Sequence, residues 1–292
     1  MSEHADVAVV GTGRMGGAMV GTLRRAGLEV VAYNRTRAKA QAVAAATGAR
    51  VADTARDAAA AAEVVLCSLA DDDAVRATYA GPDGLVAGLG PSSVVCDTST
   101  VAPATIIEQA RLVAETGATL LDTPVSGSVS LVEAGQLTFM VGGDERALRR
   151  VRDVLEVLAA RIFPVGDVGS GMTMKLVVND VLFGLNQALS EALVLAEAAG
   201  VEREAAYDVL AASAVGAPFV QYKREAFLHP EEAAVAFSLD LVAKDLDLVL
   251  ELAAQAGARM EQAAVNRQVV GEALAAGFGP RDLSAIAAYL RS

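Results

Sequence analysis

The stretch that decides the fold is residues 6–20, DVAVVGTGRMGGAMV, in which Gly11, Gly13 and Gly16 follow an apolar run and open a segment suited to a helix. G-x-G-x-x-G at a strand-to-helix junction is a dinucleotide-binding fingerprint. Each glycine has its own job. Gly11 permits the tight turn, Gly13 lets a pyrophosphate approach the backbone, and Gly16 lets helix and strand pack closely. Thr12, Arg14 and Met15 complete the loop and are placed with the glycines at the cofactor. The helix N-terminus offers the phosphates free N–H groups and the positive end of its dipole. The same glycines could serve a turn without a ligand, but as the first element of a βαβ unit they favour a dinucleotide.

Working outward, strand-like and helix-like segments alternate. LEVVAYN, a short run near ARVA, EVVLCSL, SSVVCDTS, TLLDTPV, LTFMVGGD and RIFPVG read as strands, with helical segments between most of them. Thr36 is placed as the N-cap of TRAKAQAVAAATG. This alternation predicts a parallel sheet covered on both faces. The pattern changes after Gly171. One long apolar helix is expected over about 172–200, followed by helices broken at Gly200, Gly216–Pro218, His229–Pro230, Gly257 and Gly277–Pro280. The fold class is therefore α/β. An N-terminal Rossmann-type parallel-sheet domain, residues 1–168, precedes an all-helical C-terminal domain, 169–292, and the long helix joins them. A cleft where two domains meet is a common place for a ligand.

The end of the second strand selects the cofactor. NAD sites usually carry an acid there to hold the ribose 2′-OH. Here Asn34, Arg35 and Thr36 carry none. The Arg35 fork can stack on adenine or meet a 2′-phosphate, with Asn34, Thr36 and Arg37 adding hydrogen bonds. NADP is expected over NAD, with NAD still possible. Strand C-terminal ends line the crevice of such a sheet, which places Ser68 and Leu69 at the cofactor.

Composition narrows the class further. The chain has 292 residues and is 53% hydrophobic, but no segment is read as having the uninterrupted apolarity of a membrane span. The first residues carry no basic n-region, so a cytoplasmic protein is expected. A net charge of −12 argues against nucleic-acid and anionic-membrane partners, while a local cationic cluster can still hold a small anion. Cys67 and Cys96 sit in apolar strands and read as reduced core thiols. With His4 and His229 as the only histidines, no metal site is expected.

Three later segments bear on a reaction: DTST at 97–100 with Pro103 beyond, DTPVSGSVSLVEAGQL at 122–137, and GSGMTMKLVVND at 169–180. Lys175 and Asn179 share one face of the long helix among mostly apolar neighbours. An ammonium is costly to bury, so this lysine suits proton transfer near nicotinamide. The spacing alone also suits a lysine that snorkels to the surface.

Together, GTGRMG, DTST with Pro103, DTPVSGS with AGQL, GSGMTMKLVVND and the late FSLDLVAKDLDLVLELA resemble, in order and over essentially the whole chain, the β-hydroxyacid dehydrogenase family. That family includes 3-hydroxyisobutyrate dehydrogenase and the glyoxylate/succinic semialdehyde reductases. The resemblance implies Lys175 as acid/base and Asn179 as its orienting partner or that of the substrate. It implies Ser126 and Gly127 as the binders of a substrate carboxylate, and Thr100 beside the nicotinamide ribose or the substrate. Lys244 would approach the cofactor, and Phe237 and Asp245 would line the substrate pocket. AYNRT resembles the NADP-preferring branch. Ser128 departs from the family's usual second glycine, which puts the substrate in question more than the reaction. The implied activity interconverts a small β-hydroxyacid and its semialdehyde or keto acid. The alternatives are an imine reductase of the same architecture, which generally lacks this lysine and serine-glycine pair, or a cofactor-binding module without turnover. Apolar surface on the Ala-rich C-terminal helices predicts a homodimer or homotetramer.

Overall fold

The computed structural model describes residues 5–292; His4 lies outside them. Two compact units, 1–175 and 176–292, divide the chain. This division falls inside the long helix Ser170–Ala198, later than the 168/169 division expected from the sequence. The helix's first turns pack with the sheet: Met172 belongs to its hydrophobic core, and Asp122 accepts hydrogen bonds from Gly169 N and Met172 N.

The first unit is built on a nine-stranded sheet: β1 Ala5–Val10, β2 Val30–Tyr33, β3 Arg50–Val51, β4 Ala62–Cys67, β5 Val94–Asp97, β6 Thr119–Asp122, β7 Val125–Ser126, β8 Leu137–Gly142 and β9 Ala159–Gly166. The order β3-β2-β1-β4-β5-β6 is parallel throughout. It reverses direction between β1 and β4, the switch point where such sheets bind ligands. β8 then pairs antiparallel with β6 and β7, while β9 runs parallel to β8. The short β7 and the antiparallel turn were not expected.

The alternation within β1 shows why its strand is apolar on both sides. Val7 and Val9 join one core with the helices Arg14–Arg25 and Glu145–Leu158, whereas Ala8 and Val10 join another on the opposite face. Cys96 lies in the first core and Cys67 in the second, so the two free thiols face opposite sides of the sheet. Burial and then the Asp97 charge push Cys96 up to about 12, and Cys67 is also raised well above the usual thiol value.

The second unit is helical, with further helices Arg203–Ala212, Pro218–Tyr222, Arg224–Leu228, Leu239–Ala256, Glu261–Ala275 and Ile286–Tyr289. Gly257, in the left-handed region, closes Leu239–Ala256 as its C-cap. The 29 residues of the long helix are long and apolar enough to cross a membrane by length and composition alone, a test that the core helix of a soluble protein also passes. Two of its buried side chains donate to backbone, as suits a core helix: Asn186 Nδ2 to the Leu283 carbonyl at 3.0 Å and Ser190 Oγ to the Asn186 carbonyl at 2.7 Å.

Candidate active site

The glycine loop separates protein-imposed from ligand-imposed needs. Gly11 has φ +94°, and a Cβ there would lie 2.2 Å from the Ser68 carbonyl oxygen. A Cβ on Gly16 would lie 1.9 Å from the Gly11 carbonyl oxygen. Both glycines are therefore demanded by the fold. Gly13, the N-cap of Arg14–Arg25, differs: a Cβ there meets nothing within 4 Å. The open space in front of this helix fits a pyrophosphate, and the first turn holds no acidic residue to compete.

From the loop a groove of ≈ 430 Å³ runs to the end of β2. Gly11, Gly13, Asn34, Arg35, Thr36, Ser68 and Leu69 all wall it, as does Lys39, which sequence reasoning missed. The clue to Lys39 was its position three residues after Thr36, on the helix Arg37–Thr47. Thr12, Arg14, Met15 and Gly16 do not wall the groove. Thr12 and Gly16 are buried, Met15 packs on the core and Arg14 is exposed.

Asn34 also has a structural role. Its Oδ1 accepts from Thr12 N at 3.0 Å and its Nδ2 donates to the Thr36 carbonyl at 3.1 Å. The side chain thus ties the glycine loop to the turn after β2, and the second N–H of its amide is left to meet a ligand in the groove. Arg37 pairs with Asp53. Thr36 occupies the N-cap position without a side-chain capping bond. Arg35 and Thr36 are exposed at the groove.

Buried carboxylates hold the neighbouring loops. Tyr79 Oη donates to Asp97 Oδ2 at 2.7 Å, and Ser99 N donates to Asp97 Oδ1 at 2.9 Å. Ser99 Oγ accepts from Leu69 N at 2.9 Å, joining the DTST loop to the groove wall. Thr100, half-buried, follows directly. Burial pushes the Asp97 carboxyl above its usual value despite the Ser99 and Tyr79 donors. Farther on, Ser126 is half-buried in β7, and Gly127 has φ +142°, with a hypothetical Cβ 2.7 Å from Leu137 Cδ2. Ser128 sits in extended backbone, and its hydroxyl meets that of Ser130 at 2.8 Å. A side chain at this position is accommodated without backbone strain.

Asp122 anchors the segment that carries Lys175. Its Oδ1 accepts from Gly169 N at 2.9 Å and its Oδ2 from Met172 N at 2.8 Å, a carboxylate at the favourable end of the helix. Burial nonetheless raises its carboxyl above the usual value. Lys175 is half-buried on the helix that follows.

In the second unit Asn179, Lys244 and Asp245 come together. Asn179 Nδ2 donates to Asp245 Oδ2 at 2.7 Å, and Lys244 Nζ lies 2.8 Å from Asp245 Oδ1. A carboxylate only accepts, so Asp245 fixes which end of the Asn179 amide faces it. Asp245 is buried and engaged with these two partners. The half-buried Phe237 stacks against Phe183, with ring centroids 6.0 Å apart.

Two family models cover nearly the whole chain. One, the NAD binding domain of 6-phosphogluconate dehydrogenase, matches residues 6–166; the other, the NAD-binding of NADP-dependent 3-hydroxyisobutyrate dehydrogenase, matches residues 169–290. The chain belongs to the β-hydroxyacid dehydrogenase family. It is an NAD(P)-dependent oxidoreductase of that family, whose relatives are named as dehydrogenases and reductases. The 2-(hydroxymethyl)glutarate dehydrogenase of Eubacterium barkeri is 33% identical over 98% of this chain and 95% of its own length. A Mycobacterium tuberculosis 3-hydroxyisobutyrate dehydrogenase structure with L-serine is 32% identical, covers 99% of this chain and 100% of that one, and has a TM-score of 0.86. Psf3 in complex with NADP+ and 2-OPP is 26% identical, with 97% and 99% coverage and a TM-score of 0.88.

Proposed function

We propose that this β-hydroxyacid dehydrogenase prefers NADP and interconverts a small β-hydroxyacid with its semialdehyde or keto acid, using Lys175 as acid/base. The observation that carries the cofactor preference is the groove end: Arg35, Thr36 and Lys39 wall it, and no carboxylate follows β2. A guanidinium and an ammonium there favour a 2′-phosphate, and Asp83, which also lines the groove, lies 3.5 Å from Arg56 Nη1. The bound cofactor supplies a hydride in reduction and accepts one in oxidation.

This chain's residues do the rest. Gly13 leaves the pyrophosphate room at the helix N-terminus. Ser126 Oγ and Gly127 N–H hold the substrate carboxylate, and Thr100 lies beside the substrate or the ribose. In reduction Lys175 Nζ gives its proton to the oxygen of the carbonyl being reduced; in oxidation it takes the hydroxyl proton. Asn179, its amide oriented by Asp245, keeps the substrate oxygen or Lys175 in line. Phe237 supplies an apolar wall, and Lys244 approaches the cofactor. The relatives' names, which speak of hydroxymethylglutarate and 3-hydroxyisobutyrate, support a short hydroxyacid with a carboxylate. The protein acts in the cytoplasm as a homodimer or homotetramer through its C-terminal helices, where Val177, Val181 and Leu195 leave an apolar stripe exposed.

The testing experiment is NADPH oxidation against a panel of semialdehydes, keto acids and cyclic imines. Turnover of short carboxylate-bearing semialdehydes is expected. Turnover of cyclic imines alone would replace the reading with an imine reductase, and cofactor binding without any turnover would replace it with a binding module.

A further inference from the structure

Lys223 and Asp282 lie outside every motif singled out above, yet each is only 5% exposed. Lys223 Nζ donates to both carboxylate oxygens, at 2.7 and 2.8 Å. Such a buried pair is weak evidence of stabilisation, because desolvation offsets the attraction and apolar replacements are often as stable. What else the carboxylate holds suggests its role. Asp282 Oδ2 accepts from Ala236 N at 2.8 Å and Phe237 N at 3.2 Å. Asp282 Oδ1 accepts from Ser284 N at 3.2 Å and Ser284 Oγ at 3.0 Å. Leu283 N donates to the Phe237 carbonyl at 2.8 Å. The Phe237 peptide groups are thus gripped on both sides, although residues 233–237 belong to no helix or strand.

Two consequences follow along the chain. The gripped backbone presents the Phe237 ring to Phe183, one turn beyond Asn179 on the long helix. The next residue, Ser238, caps the helix Leu239–Ala256, which carries Lys244 and Asp245. We propose that the Lys223–Asp282 pair is a positioning device that sets the Phe237 side chain as a wall of the substrate pocket and thereby governs substrate affinity. The proposal rests on reading Phe237 as a pocket residue. Burial tends to raise the Asp282 carboxyl, but the Lys223 ammonium and the donors around it bring it below its usual value, so the carboxylate keeps its full accepting power at neutral pH. Lys223 supplies the neutralising charge, and the carboxylate supplies the grip. Loosening the grip lets the ring leave its place before any bond changes, so the effect belongs to substrate binding and leaves the chemical step largely alone.

The test is a double-mutant cycle on the full chain, with NADP+ and the better of 3-hydroxyisobutyrate and L-serine as substrate. Asp282→Asn should raise the substrate KM roughly ten-fold, the scale of weakened hydrogen bonds to a charged group, with kcat and the NADPH Kd little changed. In a Phe237→Ala background the same change should add almost nothing. If Asp282→Asn does not fold, Ser284→Ala takes its place. It removes one bond to Oδ1, leaves the ion pair, and should give a smaller KM rise that again vanishes without the Phe237 ring. An equal KM effect with and without the ring, or a lower Tm at unchanged KM, would overturn the proposal. A Phe237→Ala variant with normal KM would overturn the pocket reading of Phe237, and the clamp proposal with it.

Discussion

Arg35 and Asn34 stand side by side at the end of β2 but do different work. Arg35 is exposed at the groove, whereas Asn34 bonds Thr12 N and the Thr36 carbonyl. Arg35→Ala should therefore raise the KM for NADPH about ten-fold or more and leave that for NADH nearly alone, as steady-state kinetics with both cofactors will show. Lys39→Ala should move NADPH in the same direction by less. Asn34→Asp keeps an acceptor for Thr12 N but loses the donor to the Thr36 carbonyl. It should shift preference toward NADH by repelling the phosphate, and the strained turn should also weaken overall cofactor affinity. Equal loss of NADPH and NADH with Arg35→Ala would contradict the NADP assignment. The missing acid after β2 was legible in the sequence. Asn34's engagement was not, because a side chain that bonds its own backbone reads the same as one that offers bonds to a ligand.

At the scale of the element, the three glycines can be told apart by substitution. Gly13→Ala meets no protein atom within 4 Å and keeps an ordinary φ of −67°, so the fold should tolerate it while NADPH affinity falls. Gly16→Ala forces a contact on the Gly11 carbonyl and should cost roughly 1–3 kcal/mol of stability, read as a lower Tm. A Gly13→Ala protein with normal NADPH affinity would remove the pyrophosphate from this loop. The loop, the long helix and most strands were legible because apolar runs and glycine breaks are local signals. β7, only two residues long, and the antiparallel pairing of β8 were not, since pairing partners are distant in sequence. The supporting carboxylates were hidden for a related reason. Asp97 and Asp122 lie inside DTST and DTPVSGS, but nothing local announces that one accepts from Ser99 N and the other from Gly169 N and Met172 N at the start of a helix.

For the molecule as a whole, the buried acids set opposing pH dependences. Asp282 has its carboxyl below the usual 3.8, so its stabilisation is present above that value and is lost as pH falls through the folded value. Asp97 and Asp122 are raised by burial, so their contribution is greatest at low pH and declines as pH rises through their folded values. Denaturant unfolding across pH 3–7 should show Asp282→Asn narrowing its stability gap to wild type as pH drops below about 4. A gap independent of pH would contradict an ionised Asp282. The exposed stripe on the long helix carries the expectation of self-association. Val181→Glu with Leu195→Glu should shift the protein toward monomer in light scattering, and an unchanged mass would move the interface elsewhere. Apolar surface on the C-terminal helices was legible in the sequence; which residues of it form one exposed face of the long helix was not.

The central claim is that Lys175 moves the proton while hydride passes to or from the cofactor. The most direct measurement compares wild type with Lys175→Ala in single-turnover and steady-state assays, with NADPH binding followed by fluorescence in the same samples. The account predicts a kcat lower by about 10²-fold or more, with NADPH affinity changed far less. Near-normal turnover by Lys175→Ala would contradict it.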